Sequence, residues 1–142
     1  MIVLDTNVLS EVMKPKPSAQ VLLWMAAYPR ERLFITTITQ AEVLYGVRIL
    51  PAGKRRAALQ ADIDAILDVE FAGRILPFDE QAARAFSRIA AERRGSGRPI
   101  AEFDAQIVAI AFSRGAAVAT RDVRGFEGCG VTVLNPWAGA KP

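Results

Sequence analysis

Four acidic residues fall where carboxylates can do chemistry: Asp5, Glu42, Asp104 and Asp122. Asp5 ends the apolar run Ile2 to Leu4, and Asp122 follows the run that ends near Thr120, so both stand where a buried strand gives way to a polar turn. Glu42 lies on the helical stretch after a second strand. Asp104 shares a helical face with Ile100, Ile107, Val108 and Ala111, an apolar stripe in which an unpaired charge is costly. It needs a partner, either a buried Lys or Arg or a cation shared with another acid. Hard divalent cations take oxygen ligands, and Mg2+ usually accepts one or two carboxylates while keeping several waters. Converging acids at strand ends therefore describe a Mg2+ or Mn2+ site, able to orient a phosphodiester and lower the pKa of an attacking water.

Composition removes the main competitors. The chain has no histidine and one cysteine, Cys129, which excludes a His base, a Cys-His pair, a Ser-His-Asp triad and a Cys/His zinc site. No intrachain disulfide can form, and no basic leader or apolar run of roughly 20 residues is present, so a soluble protein of the reducing cytoplasm, off the membrane, is expected. Gly53-Lys54-Arg55 lacks the spacing and hydroxyl of a phosphate-binding loop.

Each acid also has a structural reading. Asp5 could cap a helix beginning near Asn7, and Asp122 could open a turn. Glu42 completes Thr39-Gln40-Ala41-Glu42, which matches a capping box. Gly46, one turn later on the same face, marks either helix packing or a close approach of substrate.

The elements that must position these acids alternate along the chain. Strands are expected at Ile2 to Leu4, Leu33 to Thr37, Arg74 to Phe78, Ala116 to Thr120 and Val131 to Leu134. Helices are expected at Val8 to Lys14, Ser18 to Tyr28, Thr39 to Leu50, Lys54 to Glu70, Asp79 to Arg94 and Ile100 to Arg114, with Ser18 and Asp79 as caps, Pro99 in a first turn and Gly115 as a stop. This pattern predicts one α/β domain over residues 1–142, a three-layer α/β/α arrangement on a short, mostly parallel sheet. No linker or repeat divides it. At 142 residues, 51% hydrophobic and 23% charged, it has enough apolar surface for its own core.

The run Met1 to Glu11, opening on Leu4-Asp5-Thr6-Asn7, resembles the start of PIN-domain ribonucleases, in particular the VapC and FitB-type toxins of bacterial type II toxin-antitoxin pairs. The likeness continues through Thr39 to Val47, Gly73 to Asp79, Ile100 to Ala109, Val118 to Asp122 and Leu134 to Trp137, in the family's order and across nearly the whole chain. The resemblance implies that Asp5 and Asp104 are the main Mg2+ ligands, with Glu42 completing the acidic site and Asp122 as a fourth acid. Asn7 and Thr120 match polar positions that support those acids, while Glu102-Phe103 departs from the small residues often found before the aspartate. It further implies metal-dependent endonucleolytic cleavage of RNA, a homodimer, and inhibition by a small DNA-binding antitoxin, with higher assembly in its company.

Lys and Arg number 18 against 15 Asp and Glu, and committing four acids to metal widens that excess for a phosphate backbone. Arg93, Arg94 and Arg98 immediately precede the helix bearing Asp104 and are the expected RNA contacts. Leu9, Met13, Leu22, Trp24 and Met25 on the first two helices suggest a groove for an antitoxin segment. Two other classes stay open: a catalytically silent RNA- or protein-binding module of the same fold, and a metal-dependent phosphatase using Asp5 with Lys54 or Arg121, although Asn7 stands where its second Asp belongs.

Overall fold

The computed structural model describes residues 1–138. Runs of β-branched and small apolar residues form strands β1 (Ile2–Leu4), β2 (Leu33–Thr36), β3 (Ile75–Leu76), β4 (Ala117–Ala119) and β5 (Val133–Leu134). Helices α1 (Thr6–Val12), α2 (Ala19–Ala26), α3 (Thr37–Arg48), α4 (Lys54–Ala65), α5 (Glu80–Gly95) and α6 (Glu102–Ser113) connect them. The strands lie in the order β3-β2-β1-β4-β5, and every pairing is parallel.

Successive side chains of a strand point to opposite faces, and here both faces are apolar. Ile2 and Leu4 of β1 enter one core with Leu33 and Ile35 and the inner faces of α1 to α4. Val3, between them, enters a second core with Val118, Ile89 of α5 and the residues Ile107 to Ala111 of α6. A strand that must be dry on both sides needs helices on both sides, which is the three-layer arrangement expected from the alternation.

Ser18 and Asp79 cap α2 and α5 as predicted, accepting hydrogen bonds from the amides of Val21 and Ala82. Among the boundaries that differ from expectation, three have a local cause. Thr36, not Thr39, caps α3, with its hydroxyl accepting from the Thr39 amide at 3.2 Å. Helix α6 starts at Glu102 rather than Ile100, because Gly97 sits at φ +75° and Ala101 takes the extended cap conformation; Pro99 therefore lies before the helix, not in its first turn. Strand β3 keeps only Ile75 and Leu76, since Pro77 has no amide to extend the ladder. The predicted long helix from Lys54 is continuous but widens into a π turn at Ile66–Glu70.

Gly115 closes α6 at φ +65°, where the Gly115 amide reaches Phe112 O at 3.1 Å and the Ala116 amide reaches Ala111 O at 2.9 Å. A Cβ there would meet no other atom, so only backbone conformation opposes one. Gly115→Ala is expected to lower the unfolding free energy by about 1 kcal/mol. Urea denaturation with an unchanged m-value would show it.

Candidate active site

The strand order reverses at β1, with β2 on one side and β4 on the other, and in such sheets ligands bind outside the carboxyl ends of the strands at the reversal. Asp5 directly follows β1, Thr120 and Asp122 follow β4, and Glu42 is carried by α3, which springs from the end of β2. The cleft at this edge has a volume of about 460 Å³, and Asp5, Glu42 and Asp104 line it together with Thr6, Arg121 and Trp137.

Asp5 is the anchor of the site. It caps α1 by accepting from the Thr6 amide at 2.8 Å through Oδ1, while Oδ2 accepts from the Thr120 hydroxyl at 2.8 Å. The same hydroxyl accepts from the Asp122 amide at 3.0 Å and from Asn7 Nδ2 at 3.3 Å, so one fully buried threonine ties the ends of β1 and β4 together. The supporting roles expected of Asn7 and Thr120 thus have a physical basis. Asp5 does cap a helix, as its structural reading held, but one oxygen of a carboxylate is enough for that.

Glu42 is not half of a capping box. Thr39, its supposed partner, lies inside α3 and is fully buried. Glu42 Oε1 instead accepts from the Thr6 hydroxyl at 2.7 Å. That hydroxyl has a single proton, so its 2.8 Å contact with the Thr39 hydroxyl must be donated by Thr39. Gly46 is exposed and a Cβ there would meet no protein atom, so helix packing does not account for it.

Asp104 occupies the first turn of α6, in a part-buried position, and no side chain or amide among the described residues bonds to it. Burial, followed by the charges of Asp5, Asp122 and Glu42, pushes its pKa up to about 6. Asp5 is raised as well, chiefly by burial, against its hydrogen bonds to Thr120 and Thr6. Among the described residues, then, no Lys or Arg is the partner sought for Asp104. Its neighbours are acids, a combination that a shared cation relieves. Among the described residues no three acids form a cage for an ion by themselves. A cation that keeps most of its waters fits such a donor set.

Asp122 is exposed, with Oδ1 held by the Gly125 amide at 3.1 Å. A Cβ on Gly125 would overlap the Asp122 carboxylate, so glycine there leaves room for the acid. Sequence reasoning missed Thr6, Thr39 and also Glu11, a cleft residue whose carboxylate is held below the usual range by Lys14 and the Ser18 amide. A hydroxyl one residue after Asp5 and another three before Glu42 were the available signal for the two threonines.

The arginine cluster does not form one RNA-facing patch. Arg93 is buried, and its guanidinium donates to Arg98 O at 2.7 Å, Gly125 O at 2.9 Å and Glu127 O at 3.0 Å. It pins the loop after β4, and its burial keeps it off an RNA-facing surface. Arg98 bonds to Glu127 and Arg124 O, and Arg94 alone is open to solvent with no ion pair among the described residues. Lys54 opens α4 and does not line the cleft, which removes one phosphate partner of the phosphatase reading.

The raised Asp104 value has a definite sign. The folded state holds that proton more tightly than the unfolded chain, with its ordinary value of 3.8, so a penalty appears as pH rises from about 4 to about 6 and persists above. Without divalent metal, Asp104→Asn should raise stability at neutral pH by on the order of 1 kcal/mol, the full shift being discounted for solvent screening. Urea midpoints of wild type and variant in EDTA should converge near pH 4.

Residues 2–128 match the PIN domain family. The chain is 43% identical to a VapC ribonuclease of Sinorhizobium fredii over 96% of this chain and 98% of that protein. It superposes on the crystal structure of FitAcB from Neisseria gonorrhoeae with a TM-score of 0.90 at 39% identity, covering 96% of this chain and 99% of that one. DNA-bound VapBC from Salmonella typhimurium gives a TM-score of 0.77 at 30% identity, covering 95% and 97%. PIN-domain nucleases in general depend on a metal ion. With its acids gathered at the carboxyl edge of a wholly parallel sheet, this chain belongs to the PIN-domain family, among the VapC and FitB toxins.

Proposed function

We propose that this protein is the toxin of a type II toxin-antitoxin pair, a metal-dependent endoribonuclease acting through Asp5, Glu42 and Asp104 with Asp122 in support. One observation carries the reading: Asp104 is a part-buried carboxylate with no cation paired to it among the described residues, set among three other acids. Asp5 and Asp104 would hold Mg2+, or Mn2+ in its place, which when bound supplies a water of lowered pKa and offsets charge on the leaving oxygen.

The chain's own residues do the rest. Thr120 and the Thr6 amide fix both oxygens of Asp5, so its carboxylate is aimed before any ligand arrives. Thr39 and Thr6 orient Glu42 through Oε1. That leaves Oε2 to accept a proton from the attacking water, the role a histidine would otherwise fill. The Gly125 amide holds Oδ1 of Asp122, whose charge bears on both Asp5 and Asp104.

RNA is the substrate in this reading, with exposed Arg94 and Arg98 as contacts outside the cleft. The partner is a small DNA-binding antitoxin, as the FitAcB and VapBC complexes support for their toxins. Its segment would lie in the groove of about 410 Å³ between α1 and α4, lined by Met13, Pro15, Ala58 and Leu59. Trp24 is not part of that surface: its ring meets Tyr28 at a tilt of 54°, centroids 4.8 Å apart, and packs against the core. A homodimer would use the apolar face of α3 and α6, where Tyr45 and Phe103 are 66% and 54% exposed. We place the whole chain of 142 residues, as one domain, in the cytoplasm; no helix among the described residues is long and apolar enough to cross a membrane.

Cleavage of a mixed RNA pool by partner-free protein tests the reading. Wild type should cut with Mg2+ or Mn2+ and stop in excess EDTA, and Asp5→Asn should lose on the order of a thousandfold in rate. Equal cutting by Asp5→Asn, or undiminished cutting in EDTA, would overturn it.

A further inference from the structure

Arg121 stands in an acidic cleft and forms no ion pair with its acids among the described residues, although its charge helps hold the Glu11 carboxyl down. It lines the same cavity as Asp5, Glu42 and Asp104. The ion pairs among the described residues join Lys14 to Glu11, Arg84 to Glu80, Arg88 to Glu92, Arg98 to Glu127 and Arg114 to Asp79, and Arg121 is in none of them. A guanidinium free to move among carboxylates would settle on one in a bidentate bond.

Two restraints hold it off. The Arg121 amide donates to Asn7 Oδ1 at 3.3 Å, and Asn7 Nδ2 in turn reaches the Thr120 hydroxyl that fixes Asp5. The guanidinium carbon lies 5.2 Å from the centroid of the Trp137 ring. Trp137 is itself anchored, with its amide donating to Asn135 Oδ1 at 2.9 Å and its ring packed against the core that contains Leu4 and Val8. The result is a permanent cation next to Thr120 in the chain, lying over the Trp137 ring, with no hydrogen bond from its guanidinium among the described residues.

An RNA strand entering this cleft meets several carboxylates, and the site needs a fixed positive group on its wall to offset them. A planar fork of donors that cannot lose its proton suits a phosphodiester better than a base edge, and the ring that could stack a base already carries the guanidinium. We infer that Arg121, held on Trp137, is a phosphate-binding subsite that clamps a phosphodiester neighbouring the scissile one on the same RNA strand. This rests on the ribonuclease reading.

Cleavage kinetics of a single-stranded RNA at a series of KCl concentrations test it, with Mg2+ present. Arg121→Gln should raise KM about tenfold with kcat little changed, and should flatten the dependence of log(1/KM) on log salt by about 0.7. Arg121→Lys should restore the salt dependence but not the full affinity, because it keeps charge without the fork. Trp137→Leu should raise KM and leave the salt dependence of the wild type, since the cation stays. Unchanged KM and salt dependence in Arg121→Gln, a loss confined to kcat, or a loss of antitoxin binding with RNA kinetics intact would overturn the subsite. Absence of cleavage by wild type would overturn the nuclease reading and the subsite with it.

Discussion

Repulsion among carboxylates at the edge of a dry sheet is the constraint around which this protein is arranged. Asp5 and Asp104 are both driven toward the protonated state by burial and by each other's neighbours. A protein that only needed to fold would not place these groups together, because a part-buried acid facing other acids destabilises the folded state at neutral pH. The cost is tolerated at functional sites because a ligand of opposite charge recovers it.

The scaffold answers that constraint with hydroxyls and amides rather than with cations. Thr120 holds Asp5 and links β1 to β4; Thr6 and Thr39 hold Glu42; the Gly125 amide holds Asp122. Each of these groups orients a carboxylate without neutralising it, so the negative charge stays available to metal. The positive groups are placed with equal economy. Arg93 is spent on the backbone of the loop after β4, and Arg121 is held on Trp137, in no ion pair with the acids among the described residues. Parallel strands make this possible: every carboxyl end lies on the same edge, so residues distant in sequence converge there without irregular backbone.

Much of this was legible from residue types. The fold class followed from alternation, and the Asp104 signal followed from helical spacing alone, since one charge in an otherwise apolar stripe stands out. Caps at Ser18 and Asp79 and the stop at Gly115 were equally local. Glu42 was harder, because the spacing to Thr39 imitates a capping box while the true cap, Thr36, comes three residues earlier. The arginines were the clearest failure of local reasoning. Arg93 and Arg94 are adjacent in sequence, but a helix turns adjacent side chains about 100° apart, so one is buried under a loop and the other faces solvent. The pairing of Arg121 with Trp137 joins segments before and after β5 and leaves no pattern within either.

The central claim, that Asp104 and Asp5 await a divalent cation, is tested most directly by calorimetric titration of Mn2+ into the partner-free protein at pH 6, repeated in buffers of different ionisation enthalpy. With the Asp104 pKa near 6, binding should release about half a proton from Asp104 in wild type and correspondingly fewer protons in Asp104→Asn, which should also bind more weakly. Binding of equal strength and equal proton release in the two proteins, or no binding to wild type, would contradict the account.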